Sequence, residues 1–194
     1  MGTIIRQSIL SGILVGLGVV LQIQVSNPYI GAMLFSIALL VIIECGLKLY
    51  TGKIGFFKVS YIRDLLIILL CNLIGVLIPI FCSLSKSGFY ESVIDISNAK
   101  FSNGHLELFL YGLMCGVLMF IAVLCNKPLI TVFCIMTFIL SGYEHCIADF
   151  PYLFFNFNID YLLKFLCIIL GNSLGSIGAH QLIKINTKTN ERFI

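Results

Sequence analysis

The stretch Ser141-Gly142-Tyr143-Glu144-His145-Cys146-Ile147-Ala148-Asp149 sits inside one of the most apolar parts of the chain. It places a carboxylate and an imidazole side by side, two residues after a glycine. Ionisable groups at membrane depth are costly on a helix that faces lipid, and are tolerated where the backbone lines a protein-walled or water-filled cavity. An imidazole alone inside an apolar helix is often a hydrogen-bonded structural group. The adjacent Glu144 and an expected break in the helix make this pair a functional candidate. A second stretch has the same character: the apolar run that begins at Tyr29 ends in Glu44, Gly46, Lys48, Thr51 and Gly52. Either glycine by itself would mark close helix packing. Two such breaks, in equivalent helices and each beside charge, point to a pore.

Composition agrees with a membrane setting. Of 194 residues, 59% are apolar and 11% charged, against about 45–50% and about 25% in ordinary soluble domains. A water-soluble globule is therefore not expected, and a mean hydropathy of +1.06 excludes disorder. A net charge of +3 from scattered basic residues gives no nucleic-acid surface. Cys45, Cys71, Cys82, Cys115, Cys125, Cys134, Cys146 and Cys167 lie mostly within apolar runs, with no CxxC pair or Cys/His ligand spacing. They read as small packing residues in a reducing or lipid setting. Arg6 followed by an apolar run imitates a secretory signal, but the run ends in Gln22, Gln24 and Ser26 without an A-x-A site, so a retained helix is expected.

Six segments approach the roughly 20 residues needed to cross a hydrocarbon core: 9–25, 29–50, 65–84, 106–125, 129–148 and 161–182. Their continuous apolarity favours helices over alternating barrel strands. Two connections are polar enough to be loops, 51–64 and 83–105, and the second divides the chain nearly in half. The halves resemble each other at one shared shift of one hundred residues: Gly12-x-x-x-Gly16 matches Gly112-x-x-x-Gly116, and Asn72-x-x-Gly75 matches Asn172-x-x-Gly175. Three helices per half is an odd number, so the second half enters the bilayer from the opposite side. The expected fold is an all-α integral membrane protein of six transmembrane helices, built as two inverted three-helix repeats (1–98 and 101–194) in a single membrane domain, with helices two and five broken.

Among the other ionisable residues, His105 and His180 lie near helix ends, where interfacial roles are expected, and Lys100 taken alone reads as a solvated loop charge. A membrane haem or metal protein would need histidines facing one another across helices, and these are missing. A purely structural subunit would not need charge in the middle of its fifth helix.

The helix-five stretch resembles the G-[FY]-E-H-x-[IV]-A-[ND] loop of the formate/nitrite transporters. Phe35-Ser36-Ile37-Ala38-Leu39, Leu49-Tyr50-Thr51-Gly52 and the two Asn-x-x-Gly elements support the resemblance in the right order over almost the whole chain. It implies a homopentamer of aquaporin-like protomers without a cofactor. Each protomer would have its own pore for small monovalent anions of weak acids, formate first, with nitrite or hydrosulfide as the rival substrates. Carried over residue by residue, it implies hydrophobic constrictions at Phe35, Leu39 and Phe138. Thr51 and His145 would face each other between them, with Glu144 beside the histidine and Asn172 near the central site, while Lys100 would attract anions. Two departures bear on selectivity. Gly116, with Met119 one turn on, stands where many members carry asparagine, and Lys48 replaces the usual acidic residue before the L-F-T loop.

Two roles for His145 stay open at this stage: proton donor to the crossing anion, or neutral hydrogen-bond donor. With both termini cytoplasmic in an inner (plasma) membrane, the inside face holds Arg6, Lys53, Lys58, Arg63, Lys127, Lys184, Lys188 and Arg192. The outside then holds Lys86, Lys100 and Lys164. Eight against three satisfies the positive-inside bias.

Overall fold

Four helices carry the length and apolarity that a bilayer demands in the computed structural model, which describes residues 1–183. They are α1 (Gly2–Gln24), α4 (Ile62–Ser83), α6 (His105–Cys125) and α9 (Ile159–Ile183). At a rise of 1.5 Å per residue each spans roughly 30 Å or more. The expected second and fifth spans are not continuous. The second is α2 (Pro28–Glu44) followed by the four-residue α3 (Tyr50–Lys53), and the fifth is α7 (Pro128–Leu140) followed by α8 (Cys146–Phe155). α8 runs seven residues beyond Ala148, where the apolar segment was expected to end. Two 3-10 turns, Ile54–Phe56 and Val59–Tyr61, lead from α3 into α4.

Both breaks have the same local cause. After α2, Gly46 takes φ +63°, its N–H donates to Ile43 O, and the N–H of Leu47 donates to Ile42 O. After α7, Gly142 takes φ +69°, its N–H donates to Ile139 O, and that of Tyr143 to Phe138 O. This pair of bonds closes a helix with a left-handed residue, a conformation that side chains with a Cβ resist. Pro28 and Pro128 open the two broken helices, where a missing N–H costs nothing. α2 has 17 residues and α7 has 13. The internal match therefore shifts from one hundred residues at the two prolines to 96 at the two glycines.

α1 packs on α4, α6 packs on α9, and α2 packs on α7 between them. The long pairs approach until backbones touch: a Cβ on Gly75 would lie 2.3 Å from Ile9 O, and one on Gly175 2.0 Å from Leu113 O. Facing outward, α4 exposes Leu66, Leu70, Ile74 and Ile78, and α9 exposes Leu163, Leu166, Leu170 and Leu174. Apolar stripes of this kind suit lipid or a neighbouring subunit rather than water.

The connection expected as a loop at 83–105 is instead built around a helix, α5 (Phe89–Phe101). Its buried residues Phe89, Val93, Ser97 and Phe101 recur every fourth position and so share one face. That face lies against α8, where Ser97 Oγ donates to Tyr152 O at 2.9 Å. Lys100 is thereby carried on the last turn of a packed helix and is not a free loop charge. The cysteines divide: Cys115, Cys134 and Cys146 are buried as expected of packing residues, whereas Cys45 and Cys82 are exposed.

Candidate functional site

Two asparagines hold the broken segments in place. On α9, Asn172 Nδ2 donates to Gly112 O and Glu144 O, both at 2.8 Å, while its Oδ1 accepts from Cys146 N–H at 2.9 Å. On α4, Asn72 Nδ2 donates to Ser8 O at 2.7 Å and Lys48 O at 2.9 Å, and its Oδ1 accepts from Tyr50 N–H at 2.8 Å. Backbone groups freed by a break must find partners away from water. Each asparagine supplies three bonds from a fully buried position. Asn172, expected near the central site, spends its whole side chain on backbone and acts as the support of the Glu144–Cys146 loop.

His145 is the residue that caps α8. Its Nδ1 accepts from Ala148 N–H at 3.2 Å, which leaves the ring proton on Nε2, 2.9 Å from Thr51 Oγ1. Phe138 stacks on the imidazole at a centroid distance of 5.8 Å and 23° between planes. The two broken segments thus meet at Thr51 and His145, both buried.

Lys100, Glu144 and Asp149 form a cluster that the sequence did not announce. Lys100 Nζ donates to Glu144 Oε2 and lies 3.2 Å from Asp149 Oδ1, and 5.7 Å from the centre of the Tyr152 ring. Glu144 and Asp149 are 3% and 2% exposed. Asp149 Oδ2 is buried with no hydrogen-bond partner among the described residues. With all three groups ionised the cluster carries one net negative charge, so Lys100 is not an uncompensated anion attractor. Asp149 closes the quoted helix-five motif, yet nothing in the sequence indicated that a lysine some fifty positions earlier would fold onto it.

Three cavities follow one another through the protomer. The first, of about 40 Å³, is walled by Gln22, Lys100, Asp149 and Tyr152 and ends at Phe35, Phe138 and His145. Those last three also wall the second, of about 10 Å³, together with Leu39, Leu49 and Met119. That volume is close to the room a single water needs. Leu39 and Leu49 in turn border the third, of about 400 Å³, which carries Glu44, Lys48, Lys53 and Asn126. Phe35 and Phe138 meet edge to face at 6.1 Å. The expected constriction residues Phe35, Leu39 and Phe138 therefore wall neighbouring cavities, and His145 is shared by the first two. Thr51 is not a wall of either; it holds the histidine from behind.

The two selectivity candidates separate. Met119 lines the central cavity. Gly116 does not, because it lies against α9, where a Cβ would sit 2.3 Å from Asn172 O; its smallness serves helix packing. His180 is not merely interfacial: its Nδ1 pairs with Gly55 O at 2.6 Å and its ring stacks on Phe120, tying the end of α9 to the turn after α3. His105 is exposed near Asp160 at 3.6 Å. Lys184, Lys188 and Arg192 lie outside the described residues.

The family model described as formate/nitrite transporter matches residues 1–185. The chain belongs to the formate/nitrite transporter family. Solved structures repeat this family's fold. A "Pentameric formate channel with formate bound" superposes with a TM-score of 0.79 at 22% identity, over 94% of this chain and 97% of that one. An "FNT family ion channel" gives 0.78 at 23% identity, over 93% of this chain and 88% of that one. No curated protein matches in sequence. As a formate/nitrite transporter family member the chain is an all-helical membrane protein, related to channels and transporters.

Proposed function

We propose that this protein is a transmembrane channel for small monovalent anions of weak acids, formate foremost, with one pore in each protomer. The single observation that carries this is the line of three cavities separated at Phe35–Phe138 and at Leu39. A central chamber of about 10 Å³ walled mostly by apolar side chains passes only a very small solute and imposes a steep cost on charge, because an ion there loses water and gains few partners. Weak-acid anions meet this condition by crossing as the neutral acid. Hydrosulfide and nitrite satisfy the same size limit and are the alternatives within this function.

Of the two roles for His145, the hydrogen bonds favour a fixed donor over a proton carrier. A second proton on Nδ1 would face the N–H of Ala148, donor against donor, and the cap of α8 would be lost. In this mechanism the Nε2–H shifts from Thr51 Oγ1 toward the solute as it passes. We further propose six membrane crossings as two inverted halves, supported by the matched breaks and matched asparagines, and a homopentamer, supported by the pentameric neighbour and the outward apolar stripes of α4 and α9. The positive-inside count supports an orientation with both termini cytoplasmic, and a cell inner membrane is proposed with it.

Replacing aromatic rings at the constriction tests the pore. Phe35→Ala and Phe138→Ala, reconstituted in liposomes, are expected to admit carboxylates larger than the wild-type cutoff, since a wetter gap penalises size and charge less. Two assembled variants with an unchanged cutoff would show that the solute travels elsewhere.

A further inference from the structure

The first cavity poses an electrostatic problem for an anion. Among its described walls Lys100 is the one lysine or arginine, and it is shared by two carboxyl groups, Glu144 and Asp149. If both are ionised, the mouth carries a net negative charge at low dielectric and repels the solute the channel is to admit. Two buried carboxyls beside one ammonium commonly share a proton, since like charges at such range disfavour double ionisation. The geometry distinguishes the pair. Glu144 accepts the Lys100 hydrogen bond. Asp149 keeps Oδ2 buried and unpartnered among the described residues, and it lines the cavity. A buried carboxylate oxygen with no donor is costly. The same oxygen carrying a proton is a donor, with the Glu144 carboxyl close beside it and the cavity before it.

We infer that Asp149 holds the transferable proton at this mouth and delivers it to the weak-acid anion before the Phe35–Phe138 constriction, an inference that rests on the anion-channel function proposed above. The Oδ2–H bond of Asp149 breaks and a new bond to the anion's basic atom forms. The solute becomes the neutral acid, and Asp149 becomes a carboxylate beside Lys100. A proton from the aqueous phase outside the mouth restores the acid form before the next solute arrives. The other ionisable groups near Asp149 or on the walls it shares are Lys100 from α5, Tyr143, Glu144 and His145 from the loop before α8, Cys115 from α6, and Cys146 and Tyr152 on α8 itself. Of the cavity walls, α1 supplies Val19 and Gln22, and α4 and α9 supply none. His145 cannot carry a second proton without giving up its bond from Ala148 N–H, which caps α8.

Two measurements test the assignment. The first uses wild-type protein in liposomes and infrared difference spectra between acidic and alkaline buffer. Asp149 is the one buried aspartate, Asp64, Asp95 and Asp160 being at least partly exposed. A protonated-carboxyl band that shifts with aspartate carboxyl-labelled by carbon-13 is expected, and its absence overturns the assignment without any variant. The second measures formate uptake driven by a pH gradient. Asp149→Asn keeps a donor of similar shape but no transferable proton, and uptake is expected to fall roughly a hundredfold, the low end for a positioned acid. Asp149→Glu is expected to restore most of it. Uptake by assembled Asp149→Asn with the wild-type rate and pH profile overturns the inference. A wild-type protein that shows the aspartate band but carries neither formate, nitrite nor hydrosulfide refutes the proposed function and leaves the proton-holding carboxyl standing.

Discussion

At the scale of single residues, the site is decided by which atoms already have partners. His145 has both ring nitrogens engaged, one by Ala148 N–H and one by Thr51 Oγ1. His145→Asn retains a group able to cap α8, because asparagine is among the best residues at that position. The variant is therefore expected to fold and assemble. As a fixed donor, the imidazole contributes one hydrogen bond to a passing charged or polar solute, so flux should drop about tenfold, matching a bond of about 1.4 kcal/mol. Its profile between about pH 5 and 8, where an unperturbed histidine titrates, should keep the wild-type shape. A flattened profile in liposome uptake would instead make His145 the proton carrier. Much of this constellation was legible in sequence, because Glu144 and His145 are neighbours in the chain and their cost at membrane depth depends on local composition alone. The meeting of Asp149 with Lys100 was not, because it depends on where α5 docks; Lys100 entered only through the family resemblance, as an anion attractor without carboxyl partners.

At the scale of elements, the same distinction separates what periodicity can and cannot reveal. The breaks in the second and fifth apolar runs were readable because glycine at positive φ leaves a local mark, and Gly46 and Gly142 both carry it. α5 was hidden because its buried face consists of four residues, one of them Ser97, interleaved with Glu91, Ser92, Asp95, Asn98 and Lys100. Its apolar content is too dilute to read as a helix until α8 is there to receive it. Gly116 misled for the opposite reason: a family position associated with the pore is here a contact between α6 and α9. Gly116→Ala would press a Cβ against Asn172 O, and a cost of about 1–3 kcal/mol is expected, as for other overpacked contacts. Asn172→Ala should be worse. It strands the carbonyl of Glu144 and the N–H of Cys146, at about 1–3 kcal/mol for each buried group left unpaired, and removes a second bond from Gly112 O, which keeps its partner within α6. Thermal unfolding in detergent checks both. A melting temperature for Asn172→Ala equal to wild type would mean that the helix-five loop does not depend on this staple.

At the scale of the whole molecule, the exposed apolar stripes and the inverted halves make claims about assembly and orientation. Chemical cross-linking in native membranes is expected to stop at five chains. Orientation is read with a cysteine introduced at position 192 in a background lacking the exposed Cys45 and Cys82. It should react with an impermeant maleimide only after the cells are opened, and labelling of intact cells would invert the topology. Transport by the isolated protein is the most direct test of all, because the three cavities on one line have meaning only if a solute moves along them. In stopped-flow experiments, proteoliposomes shrunk by a hyperosmotic step should re-swell much faster than protein-free vesicles with formate, nitrite or hydrosulfide, and no faster with carboxylates larger than the Phe35–Phe138 gap admits. Recovery indistinguishable from protein-free vesicles with all three small anions would contradict a channel through these cavities.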